Sequence, residues 1–174
     1  LSRSRELFER AAIEGEMTTL AQDAEELAQR QRDWNRQAET AVADSALAKA
    51  EQALARETDS LSARMSQLDQ GLQKQGEPEG TAAERQRTEQ AAQAMDRAAG
   101  QAQTGERQQA RQSGKEAEQA LDPVAQGLRE QRDQMRDQWR QDVVQTLDRA
   151  LSETADLARR QVDLAQRMRG GDAS

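Results

Sequence analysis

Residues 47–72 read LAKAEQALARETDSLSARMSQLDQGL. Leu47, Leu54, Leu61 and Leu68 recur at every seventh position, accompanied by Ala50, Thr58, Met65 and Leu72. Seven residues is close to two turns of α-helix, so these side chains share one stripe of a helix; a strand, whose period is two, would scatter them over both faces. The stretch is a heptad seam. A seam has to be covered, so the chain is expected to fold helix against helix.

Upstream, Leu20, Ala24, Leu27, Gln31, Trp34, Ala38 and Ala41 keep the same 4,3 spacing, with a polar Gln inside the stripe. The rhythm slips at Ala43-Asp44-Ser45, where a break or stutter is expected and Asp44 or Ser45 could cap a new start. Before the seam, residues 2–13 place Leu7, Phe8, Ala11 and Ala12 on one side, and Gly15 with Thr18-Thr19 predicts a second helix start, Thr19 and Gln22 forming its cap. Residues 1–75 are thus read as N-terminal helices carrying a heptad seam.

Downstream, residues 76–81 hold Gly76, Pro78 and Gly80 and predict a turn. Thr81 with Glu84 predicts a capping box, and the flanking helices should be antiparallel neighbours. Residues 82–121 are rich in small residues: Ala91, Met95, Ala98 and Ala102, then Thr104-Gly105, then Ala110, Gly114, Ala117 and Leu121. This pattern predicts a helical hairpin turning at Gly105, with one kinked helix as the alternative. Asp122-Pro123 predicts a bend or restart. A long last helix follows within 122–169, through Val124, Leu128, Met135 and Trp139 into Val143, Leu147, Ala150, Thr154, Leu157, Gln161, Leu164 and Met168. Its span would be about 69 Å. Gly170-Gly171 is read as a helix stop and residues 170–174 as a linker tail, and a chain opening on Leu1 is expected to be a piece of a longer polypeptide.

Composition agrees with this class. Ala, Glu, Lys, Leu and Arg make up 89 of 174 residues, while Val and Ile total 6 and the aromatics are Phe8, Trp34 and Trp139 alone. Sheets have little to be built from. With 29 large apolar residues spread over the whole length, thin seams rather than a thick core are expected. No apolar run nears the roughly 20 residues that cross a bilayer, so the segment is expected to be soluble, without direct membrane contact of its own. No cysteine is present, which is compatible with either redox compartment.

Catalytic chemistry has few carriers here. There is no His, Cys or Tyr, and acidic pairs such as Glu25-Glu26 or Asp133 with Asp137 alternate with Arg on faces that water covers. No catalytic, cofactor-binding or metal site is expected. Arg129, Arg132, Arg136 and Arg140 share a helix face beside Trp139, a pattern that could grip single-stranded nucleic acid; Glu130, Asp133, Asp137 and Asp142 cancel that field, and Arg129 with Asp133 forms an i,i+4 pair. The net charge is −7 and its signs are interspersed, so no nucleic-acid partner is expected. Gln31 and Gln161, polar within apolar seams, are expected to set register or partner choice.

The run from Ala94 to Ala117, followed by Leu121-Asp122-Pro123-Val124, resembles the Gln/Ala/Arg-rich helical part of a large uncharacterised bacterial family with N-terminal transmembrane helices and a long coiled-coil portion. The resemblance implies a membrane-anchored parent associated with the bacterial envelope, and no catalytic residues. The Arg excess, 22 against 3 Lys, fits a GC-rich bacterial genome, and cytoplasm and envelope both stay open.

The sequence therefore predicts an all-α, elongated antiparallel bundle or coiled coil of three to five long helices. Leu47, Leu54, Leu61, Leu68, Trp139, Val143, Leu147, Leu157 and Leu164 are its candidate seam and interaction residues. The expected role is a non-enzymatic structural or scaffolding segment that spaces or tethers other domains by self-association. The alternative is a module that accepts an amphipathic helix of another protein in an unfilled groove beside Leu147, Leu151, Leu157 and Leu164.

Overall fold

The computed structural model describes residues 2–40, 43–74 and 80–171. They form five helices: α1 (Ser2–Ala38), α2 (Asp44–Lys74), α3 (Ala82–Gln103), α4 (Arg107–Leu121) and α5 (Val124–Gly171), with no strand among the described residues. The all-α helical bundle expected from the periodicity is what the chain adopts. It divides into two compact units, Leu1–Asp133 and Gln134–Ser174. The first contains α1 to α4 and the start of α5; the second contains the rest of α5.

In the first unit the helices close a ring, α1 packing on α2 and α4, and α3 packing on α2 and α4. Cross-helix bonds fix the directions. Gln31 meets Glu51 and Arg64 meets Glu16, so α1 and α2 are antiparallel. Thr58 meets Met95 and Ser62 meets Glu89, which makes α2 and α3 antiparallel. Arg97 meets Glu116 and Gln101 meets Ser113, completing the alternation with α4. The result is an up-down-up-down four-helix bundle.

Each helix buries a run at 4,3 spacing. On α1 it is Ile13, Met17, Leu20, Ala24, Leu27, Gln31, Trp34 and Ala38; on α2, Leu47, Glu51, Leu54, Thr58, Leu61, Met65, Leu68 and Leu72. On α3 it is Glu84, Thr88, Ala91, Met95, Ala98 and Ala102. The fourth run crosses two helices without losing phase: Ala110, Gly114, Ala117 and Leu121 on α4, then Val124 and Leu128 on α5. Arg129 of α5 pairs with Glu25 of α1, and Arg132 donates to Thr18 Oγ1 at 3.3 Å, so the start of α5 prolongs the fourth rod along α1. Each fully buried Leu in these seams contributes about 1.5–3 kcal/mol before conformational entropy is subtracted.

Several local expectations are corrected. α1 runs unbroken through Gly15 and Thr18-Thr19, because Thr18 Oγ1 bonds Glu14 O at 2.9 Å and Thr19 Oγ1 bonds Gly15 O at 3.1 Å, satisfying both hydroxyls inside the helix. Leu7, Phe8, Ala11 and Ala12 are exposed, Phe8 at 77%, and the first buried residue among the described side chains of α1 is Ile13. Ala50 is also exposed, and the neighbouring Glu51 takes the seam position. Ala41 and the turn residues 75–79 lie outside the described residues.

The capping box at Thr81 and Glu84 is not formed. Thr81 donates both its backbone N–H (3.0 Å) and its hydroxyl (2.8 Å) to Asp69 Oδ1 across the α2–α3 junction, and the Glu84 side chain is buried instead. Residues 82–121 form the hairpin rather than the kinked helix. Gly105 turns it at φ 78°, with Glu106 N–H bonding Gln101 O at 2.8 Å and Gly105 N–H bonding Ala102 O at 3.2 Å. Asp122, just past the end of α4, keeps helical dihedrals (φ −50°, ψ −42°) despite the proline after it, and α5 restarts at Val124 with the buried run still in phase. α5 also continues through Gly170-Gly171, which do not stop it.

Candidate interaction surface

Three of the four rods carry a second buried position directly after every other seam residue, repeating at seven. On α1 the couples are Leu20/Ala21, Leu27/Ala28 and Trp34/Asn35; on α2, Leu47/Ala48, Leu54/Ala55, Leu61/Ser62 and Leu68/Asp69; on α3, Ala91/Ala92 and Ala98/Ala99. Within the bundle this wider face lets each helix touch two neighbours at once.

Two glycines make the closest approaches. A Cβ on Gly114 would run into the ring of Trp34 and the carboxamide of Asn35, so this position needs a residue without a side chain for α1 to lie against α4. Trp34 is thereby seated in the bundle centre, its indole N–H donating to Leu47 O at 2.9 Å. Asn35 donates to Gly114 O at 3.2 Å and to Glu118 at 2.6 Å. A Cβ on Gly127 would likewise meet the buried Glu84 carboxylate.

Beside Trp34 lies a polar layer. Gln31 Nε2 donates to Glu51 Oε1 at 2.9 Å and to Gly114 O at 3.3 Å, and both Gln31 and Glu51 are 0% exposed. Burial pushes the Glu51 carboxyl up to about 8, against the modest lowering from the Gln31 hydrogen bond. Glu51 Oε2 and Gln31 Oε1 have no hydrogen-bond partner among the described residues.

On the outer surface charge is spent on helix-to-helix pairs. Arg30 binds Glu57, and Arg64 binds Glu16 and Asp23, bridging the α1–α2 groove lined by Leu27, Ser60 and Leu61. The Arg30 hydrogen bond holds the Glu57 carboxyl below the usual carboxylate range. Arg129 pairs with Glu25 across to α1, where the i,i+4 spacing had pointed to Asp133, and Arg132 pairs with Asp133 at 2.9 Å. Among the described residues no group of three His, Cys, Asp or Glu side chains is placed to hold a metal ion.

The candidate residues separate into two sets. Leu47, Leu54, Leu61 and Leu68 are buried in the α2 seam, within the bundle. Trp139 is buried too, at 7% exposure. Val143, Leu147, Leu157 and Leu164 are exposed; so are Val144, Leu151, Val162 and Met168, and every side chain from Arg140 to Gln166 is on the surface of the chain. Gln161 is therefore a surface residue, unlike Gln31.

The exposed stretch repeats the architecture of the buried helices. Val143/Val144, Ala150/Leu151, Leu157/Ala158 and Leu164/Ala165 are adjacent couples at intervals of seven, with Leu147, Thr154, Gln161 and Met168 between them. This doubling was legible in the spacing but hidden by reading only a single line of positions. Glu51 was the residue sequence reasoning missed in the bundle, since a carboxylate in a seam reads as an interruption; Gly114 stood in the small-residue run, but its close approach to Trp34 and Asn35 was not legible there.

Comparison of the chain with known protein families, characterised proteins and solved structures finds no match to any of the three.

Proposed function

We propose that this chain is a non-enzymatic structural or scaffolding segment, in which a closed four-helix bundle is joined to a helical face that associates with another copy of the chain and so spaces or tethers attached domains. The observation that carries this reading is the contrast between two equally regular stripes. In residues 1–133 the stripe is covered by neighbouring helices; from Val143 to Met168 the same pattern of couples faces water. Contiguous exposed apolar surface of this kind marks an interaction site, and an isolated helix draws most of its stability from packing an apolar face.

Other features agree. Arg129 and Arg132, half of the basic stripe, are engaged by Glu25, Thr18 and Asp133 rather than held out for phosphates. No helix among the described residues is long and apolar enough to cross a membrane, so the anchor that the family resemblance implies would belong to another part of the parent protein.

Light scattering on the purified chain tests the reading. The wild type should exceed the monomer mass, and a Leu147→Asp/Leu157→Asp variant should return to monomer with the bundle's melting unchanged. A wild type that stays monomeric overturns self-association. The exposure of Leu147, Leu151, Leu157 and Leu164 equally suits a second reading, a groove for an amphipathic helix of another protein. That reading predicts a monomer that gains helicity when the partner helix is added.

A further inference from the structure

The flanks of the exposed α5 stripe are not equivalent. On one side of the seam lie Val144, Leu151, Ala158 and Ala165; on the other lie Thr146, Glu153 and Arg160. Facing charges at such flanking positions decide the partner and its direction.

We infer that the exposed stripe of α5 pairs with the same stripe of a second copy in antiparallel register, Val143 opposite Met168, Leu147 opposite Leu164, Ala150 opposite Gln161 and Thr154 opposite Leu157, each in both directions. This inference rests on the self-association proposed above and adds its direction and register. The 4,3 spacing from Val143 to Met168 reads the same from either end, so all eight seam positions find a counterpart at once. The seam runs for roughly 38 Å.

Charge then separates this arrangement from a parallel one. In antiparallel coils like flanks meet: Glu153 faces Arg160 of the other copy, twice by symmetry, while Leu151 faces Ala158 and Val144 faces Ala165, also twice. One edge is ionic and the other apolar. A parallel pair would instead set the ionic flank against the apolar one, placing Glu153 beside Ala158 and Arg160 beside Ala165. Gln161 opposite the small Ala150 keeps room for its carboxamide to reach water, which avoids a buried unpaired amide. The two-fold relation is the commonest symmetry of self-association.

The test uses the whole chain, which has no native cysteine to interfere. Leu147→Cys and Leu164→Cys chains are oxidised separately and mixed. The antiparallel register gives a disulfide-linked dimer only in the mixture; linkage of each variant to itself overturns the register while leaving self-association standing. A second arm needs no cysteine. Glu153→Arg and Arg160→Glu should each weaken dimerisation about tenfold, because two attractive pairs become repulsive, and mixing the two variants should restore it. If neither reversal changes the dissociation constant, the ionic edge is absent and the inference falls. A wild-type chain that is monomeric at submillimolar concentration overturns both this inference and the self-association beneath it.

Discussion

Gln31 and Glu51 meet in the centre of the bundle through one hydrogen bond, Nε2 to Oε1 at 2.9 Å, which leaves two buried acceptors without a donor among the described residues. A proton on Glu51 Oε2 turns one of those acceptors into a donor. Burial, which disfavours the charged form, raises the carboxyl to about 8 and so favours that proton. The neutral form is therefore favoured at neutral pH, and a neutral acid beside a carboxamide is far cheaper to bury than a carboxylate.

This gives a pH dependence with a definite sign. The folded chain holds a proton on Glu51 up to about 8, whereas the unfolded chain releases it near 4.5. Between those values the native state binds more protons, so stability is greatest at the acid end and falls as pH rises, by on the order of a few kcal/mol over the whole window. Urea titrations across that range should show the decline. Glu51→Gln should flatten this component and melt higher than wild type at alkaline pH; an unchanged profile in the variant would remove Glu51 as its source.

Gly114 and Gly71 should respond in opposite directions to the same substitution. Both lie inside helices, where Gly→Ala ordinarily gains about 1 kcal/mol. A Cβ at Gly71 meets nothing within 4 Å, so Gly71→Ala should stabilise by about 0.5–1 kcal/mol. At Gly114 it would meet Trp34 and Asn35, and overpacking of about 1–3 kcal/mol should outweigh the gain. Chemical denaturation of both variants checks the contrast.

Leucines of identical spacing should differ by location. Leu61→Ala empties a buried site and should cost about 2–5 kcal/mol of bundle stability. Leu157→Ala removes an exposed side chain and should leave the unfolding of residues 1–133 within about 0.5 kcal/mol, while weakening association of the chain. Melting and sedimentation of both variants separate the two effects.

Gly105 is the one described residue with positive φ. Gly105→Ala should destabilise the α3–α4 hairpin by about 1–2 kcal/mol, with Gly105→Asn milder because Asn tolerates the left-handed region. Equal stability of all three would mean the turn does not require that geometry.

The repeat of Leu47, Leu54, Leu61 and Leu68 and the scarcity of strand-forming residues were enough to predict an all-α bundle from the sequence, because helix period is a local property, while the turn at Gly105 was legible only beside the alternative of one kinked helix. What they left undecided was where each seam closes. Ala50 and Glu51 both lie near the α2 stripe, and only the neighbouring helices, which bring Gln31 to one and leave water at the other, select the acid for the core. Thr81 and Glu84 match a local capping pattern, yet Asp69, twelve residues away, supplies a better acceptor for Thr81. Most decisively, Leu61 and Leu157 are indistinguishable by periodicity. One is buried because α2 has neighbours on both sides, the other exposed because no helix among the described residues covers it; burial is a property of surroundings, and a one-dimensional pattern states only the need for them.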